Sequence, residues 1–164
     1  MSKVLILFYS YEGQTREIAR IIADELHADL AEVKPVKERK TKGFAKYLWG
    51  GSQVVMKKKP ALQPLERNPE QYDTLFVGTP VWASTFAPPV KSLLEDGLLQ
   101  DKKIAFFYTH LGGPGKTEQN AREVLSKNNT FLGALGCANV AKHLQELRPQ
   151  VVQWAQQMLE RSEG

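Results

Sequence analysis

An unbroken apolar run, Val4-Leu5-Ile6-Leu7-Phe8-Tyr9, ends in the polar turn Ser10-Tyr11-Glu12-Gly13-Gln14-Thr15, which opens an amphipathic stretch from Arg16 to Leu26. A strand without polar alternation is buried on both faces, as in a parallel sheet. The following periodicity predicts a helix over 14–27, with Ile18, Ile22 and Leu26 on one face. Helix starts leave N–H groups unpaired and carry partial positive charge, so a turn of this kind can hold a phosphate. Hydroxyls at Ser10 and Thr15 can add hydrogen bonds, and Gly13 permits close backbone approach. The same residues suit a plain turn whose Ser and Thr only cap the helix. On this segment alone both readings stand.

The alternation continues along the chain. Strands are predicted at 30–33, 74–78, 103–108 and 131–135, and helices at 43–56, 90–95, 117–126 and 148–161. Pro88 and Pro89 suit the first turn of the third of these five helices, while Gly50-Gly51 weakens the one before it. No internal repeat or linker interrupts the 164 residues, so one domain spanning 1–164 is expected. Continuous strands alternating with helices predict an α/β fold: a doubly wound five-stranded parallel sheet, order 2-1-3-4-5, with helices on both faces. Ligands of such sheets sit at the carboxyl ends of the strands, beside the switch point between the first and third.

Three segments should meet at that edge. The first strand supplies Ser10 to Thr15. The third ends in Gly78-Thr79-Pro80-Val81-Trp82-Ala83-Ser84-Thr85, and the fourth in Thr109-His110-Leu111-Gly112-Gly113-Pro114-Gly115. Trp82, placed on a turn, is either a stacking platform or a core plug. Beside a phosphate site, stacking is the reading favoured. The glycine-rich third segment can wrap a flat ligand with backbone groups.

The patterns S-x-E-G-x-T, T-P-V-W-A-x-T-x-A-P-P-V and T-H-x-G-G, in this order after successive strands, resemble the flavodoxin-like family over nearly the whole chain. Only about a dozen residues separate Leu135 from the last helix, which is similar to the short-chain type. The resemblance implies non-covalently bound FMN. By it, Ser10, Tyr11, Glu12, Gly13, Gln14 and Thr15 bind the FMN phosphate. Thr79, Pro80, Val81, Trp82, Ala83 and Ser84 lie along the isoalloxazine, with Trp82 against it. Thr109, His110, Leu111, Gly112 and Gly113 close the far side. Glu12 departs from members with a hydroxyl residue there; a carboxylate repels a phosphate dianion, so this side chain should point to solvent. The third segment offers no second aromatic stack, and a neutral Trp82 face should hold the potential low.

Two rival readings, triphosphate hydrolysis and a response-regulator receiver, fail on the residues. Gly112-Gly113-Pro114-Gly115-Lys116-Thr117 imitates a triphosphate-binding loop, but the required earlier glycine is His110. A phosphoacceptor aspartate is absent where Gly78-Thr79-Pro80 stands. The surviving contest is an electron-transfer flavodoxin, the favoured reading, against an FMN-dependent NAD(P)H:quinone-type oxidoreductase. Partners are accordingly a redox protein or a small-molecule acceptor, with NAD(P)H under the second reading.

Charge bears on that contest. The net charge is +4, and nine basic residues against one acid fall between Lys34 and Lys59. Carrier flavodoxins are typically acidic, which this chain, with pI ≈ 9.1, is not. The basic run is a solvated face, or a surface for an anionic partner such as a cofactor phosphate, an acidic protein or a membrane. Its aromatics Phe44 and Tyr47 are assigned to the helix over 43–56 that covers a sheet face and do not form a stacking stripe, so no nucleic-acid partner is expected. No apolar stretch is long enough to span a bilayer, and the run at 4–9 is too short for a signal-peptide core. With Cys137 the only cysteine, no internal disulfide forms, and a cytoplasmic location is expected.

Overall fold

The computed structural model describes residues 3–37 and 59–164. The helix expected over 43–56, and with it most of the basic run, lies outside the described residues. The chain order is β1 (Val4–Phe8), α1 (Gln14–Leu26), β2 (Asp29–Glu32), a 3-10 turn (Pro69–Gln71), β3 (Thr74–Trp82), β4 (Thr85–Phe86), α2 (Pro88–Glu95), β5 (Lys103–His110), α3 (Thr117–Leu125), β6 (Thr130–Ala138) and α4 (Val140–Glu163). The five long strands run parallel in the order β2-β1-β3-β5-β6, which is the expected 2-1-3-4-5. The two-residue β4 pairs antiparallel with the end of β3.

Side chains of β1 divide between two cores. Leu5 and Leu7 join Leu75, Val77, Val90, Leu93, Ile104 and Phe106 on one face. Val4, Ile6 and Phe8 join Ile18, Ile22, Phe76, Phe107, Trp154 and Met158 on the other. Both faces of the central strands are therefore dry, which is why their sequences show no alternation. The register brings Phe8 level with Glu32 and Gly78, and Pro80 level with Thr109, so the strand ends meet at one edge.

Two expectations need correction. Thr79 to Trp82 continue β3 instead of leaving it as a loop, because Val81 and Trp82 pair with Phe86 and Thr85. The connecting pair Ala83 and Ser84 both have positive φ (50° and 67°), as a primed two-residue hairpin requires. Such turns are usually signalled by Asn-Gly, and Ala-Ser carries no such signal. The last helix also begins eight residues before the expected Arg148, passing a non-helical residue, His143, with Pro149 inside it.

Cys137 lies on β6 opposite Thr109 and is fully buried; burial pushes its thiol up to about 12. Only thiolate reacts with disulfide reagents. At pH 8 the native protein is therefore expected to leave Cys137 unmodified by an aromatic disulfide, with one thiol per chain appearing on denaturation. Stoichiometric reaction of the folded protein would contradict this burial.

Candidate functional site

The first turn is held by its own serine. Ser10 is buried, and its Oγ accepts from the N–H groups of Gly13 (3.1 Å) and Arg16 (3.3 Å). Gly13 adopts φ 97°, the left-handed region open to glycine, and its carbonyl accepts the first helical bond, from Glu17 N–H. By helix geometry, the N–H groups of Gln14 and Thr15 have no acceptor within α1 and face the end of the helix. The Ser10 hydroxyl thus shapes the turn, a job the capping reading assigned to it, while the helix start keeps its anion-attracting donors. Glu12 is exposed.

The second segment is pinned at its base. Thr79 Oγ1 accepts from Ala87 N–H (3.0 Å) and donates to the Pro80 carbonyl (2.8 Å). Pro80 and Val81 are half-buried, and Ala83 and Ser84 are exposed. Trp82 is only 9% exposed and meets the rings of Tyr9 (5.6 Å, 90°) and Tyr11 (5.8 Å, 79°) edge to face. It therefore plugs the core where β3 leaves the sheet, whatever else it touches.

The third segment ties the other two together. Thr109 Oγ1 and Thr15 Oγ1 form a buried 2.8 Å hydrogen bond, joining the end of β5 to the start of α1. Lys116 N–H donates to the Ser84 carbonyl (2.8 Å), and Gly115 packs so closely that a Cβ would lie 2.5 Å from Ser84 Cα. Asn120 Nδ2 donates to Thr85 Oγ1 (3.0 Å). These bonds fix the hairpin against the third segment. Leu111, by contrast, is 69% exposed, and a Cβ at Gly112 or Gly113 would meet nothing within 4 Å. The segments expected to share an edge do share it, with an open glycine rim.

His110 half-emerges from this edge with its ring stacked on Tyr108 (6.0 Å, 28°). Its Nδ1 is buried without a hydrogen-bond partner among the described residues, and burial pushes its pKa down. Burial also raises the Tyr108 phenol, helped by the nearby Glu118 carboxylate.

Arg16 is a residue the sequence reading passed over. Its guanidinium pairs with Glu32 (2.8 Å), lies over the Phe8 ring at 6.0 Å, and has Nη1 3.9 Å from where a Gly13 Cβ would stand. The signal was available: a cation directly after a phosphate-type turn. Arg16 also lines a cavity of about 160 Å³ at the carboxyl end of β2, together with Arg20, Lys34, Glu32 and Glu66. That cavity lies beside the first segment and includes no residue of the other two.

The model of the flavodoxin family matches residues 3–158. The chain belongs to the flavodoxin family. No curated protein matches it. Among solved structures, this flavodoxin-family chain is similar to a flavoprotein from Lactobacillus acidophilus NCFM in complex with FMN, at 26% identity and TM-score 0.70, covering 89% of this chain and 98% of that one. The apo-form of the flavoprotein from the same organism gives 27% identity and TM-score 0.63, over 87% and 96%. A flavodoxin from the domain Archaea, at 15% identity and TM-score 0.55 over 95% and 98%, shares the fold. Among the described residues, no helix is long and apolar enough to cross a membrane.

Proposed function

We propose that the chain is a single FMN-binding domain that works as an electron-transfer flavodoxin, passing electrons to a redox protein or a small-molecule acceptor. The observation that carries this reading is the Thr15–Thr109 bond, which locks the helix start against the third segment beside the hairpin. The residues fit the cofactor. Ser10 to Thr15 supply a helix start, a left-handed glycine and an outward-facing carboxylate at Glu12. Thr79 to Ser84 would lie along the ring, and Thr109 to Gly113 would close its far side beneath an open glycine rim. The L. acidophilus relative in complex with FMN supports FMN as the ligand.

Bound flavin supplies one- and two-electron transfer, and the protein sets its potential by hydrogen bonding, apolar contact and charge. The chain's own groups here are hydroxyls, backbone amides, an indole and an imidazole, which bind and tune. Purified protein is expected to be yellow and to release FMN on denaturation; a colourless protein that ignores added FMN would defeat the reading. Riboflavin lacks the phosphate and is expected to bind at least about 100-fold more weakly, since charge-assisted hydrogen bonds contribute roughly 1.5–3 kcal/mol each. The carrier role is tested by steady-state assay with NADH or NADPH and a quinone. Turnover by the protein alone would make it an FMN-dependent NAD(P)H oxidoreductase instead.

A further inference from the structure

The hydroxyls of Ser10, Thr15, Thr79 and Thr109 all have hydrogen-bond partners, but among the described residues His110 Nδ1 has none. A neutral imidazole has one N–H and one lone pair, and the surroundings of each nitrogen decide which carries the proton. At His110, Nδ1 is buried and has no acceptor. A proton there would leave a buried donor unpaired, a rarer defect than an unpaired acceptor. The residue keeps partial exposure at the rim of the site, which leaves Nε2 as the nitrogen able to meet a ligand.

The ring is also held in place. Tyr108 stacks beneath it, and the His110 carbonyl accepts from Asn139 N–H (2.8 Å). The titratable groups packed nearby are Tyr108, Glu118 beside that phenol, and Cys137 opposite Thr109. Burial pushes both the phenol and the thiol up, and among the described residues no carboxylate offsets the burial that disfavours the imidazolium.

We propose that His110 is a fixed neutral hydrogen-bond donor of the flavin site, presenting Nε2–H to the acceptor-rich edge of the isoalloxazine while Nδ1 stays unprotonated. The inference rests on the FMN reading above and gives this side chain one atom and one role. Reduction enriches the polar edge of the ring in electrons, so a donor there favours the reduced form. His110 would thus raise the potential, opposing the apolar face of Trp82.

The test uses the FMN-loaded wild-type protein and three variants. His110→Gln keeps an N–H near the reach of Nε2, His110→Asn places its amide near Nδ1, and His110→Leu has no donor. In the wild type, 15N NMR at pH 7 should show Nε2 protonated and Nδ1 bare, with the Nε2 signal moving as FMN is added. His110→Leu and His110→Asn should bind both FMN and riboflavin about five- to tenfold more weakly, and His110→Gln within about twofold of wild type. A reduced form loosened tenfold further would lower the midpoint potential by about 30 mV for a two-electron couple. A proton on Nδ1, imidazole signals unmoved at saturating FMN, or a His110→Leu variant with wild-type affinity and potential would overturn the inference. A wild type that binds neither flavin would instead overturn the FMN reading itself.

Discussion

Gly78→Ala is expected to lower the melting temperature by roughly 6–12 °C, taking about 3 kcal/mol for a forced overpacking and about 2–4 °C per kcal/mol at this chain length. Gly78 sits mid-sheet opposite Phe107, and the outer edge of the Phe107 ring fills the space beside it. A Cβ would fall 2.2 Å from Phe107 Cζ and 2.3 Å from Cε2, closer than atoms can approach. The ring has no way to swing clear, because Phe107 is completely buried in the core that α1 and α4 cover. Interiors packed to crystal density pass such strain on to the backbone. Here the backbone matters to function, since Gly78 carbonyl accepts from Tyr9 N–H (3.1 Å) directly before the first turn. Thermal unfolding followed by circular dichroism measures the loss. Trimming the ring in Gly78→Ala/Phe107→Leu should recover part of it, giving a coupling of at least about 1 kcal/mol in a double-mutant cycle. Independent, additive losses would show that the ring and the glycine are not in contact.

The central strands were readable because both their faces are dry, and a run such as Val4 to Phe8 has few other uses. Their far ends were not. β3 runs on through Thr79 and Pro80, and β5 through Thr109 and His110, where polar and cyclic residues end the apolar signal although pairing continues. A ligand-facing edge needs such residues, so sequence reading stops short where the site begins. The meeting of the three segments followed from strand order alone. The bonds that fix it, Thr15 to Thr109 and Lys116 to Ser84, depend on register and side-chain direction, which no local pattern encodes. The helix expected over 148–161 starts at Val140 and carries Pro149 inside it, although proline favours a first turn.

Trp82→Ala is expected to lower the stability of the flavin-free protein by about 3–5 kcal/mol, the usual range for emptying a buried aromatic site. That is a large part of the ~5–15 kcal/mol that holds a domain folded. The indole is 9% exposed and makes T-shaped contacts with Tyr9 and Tyr11, so its removal opens a cavity between the end of β1 and the hairpin. Trp82→Phe keeps an aromatic ring there and should cost less. Burial of this depth means that weak FMN binding by Trp82→Ala would not by itself prove stacking, because a loosened hairpin would weaken binding too. The increment of stability that FMN adds separates the two roles, since a ligand stabilises by RT ln(1 + [L]/Kd) above its own baseline. A pure core plug leaves that increment, and the midpoint potential, as in wild type once the variant is folded. A ring that also lies along the flavin loses both, and Trp82→Phe should then recover part of the increment. The second outcome is the one expected. Denaturant titrations with and without saturating FMN, at a temperature where both variants are folded, measure it.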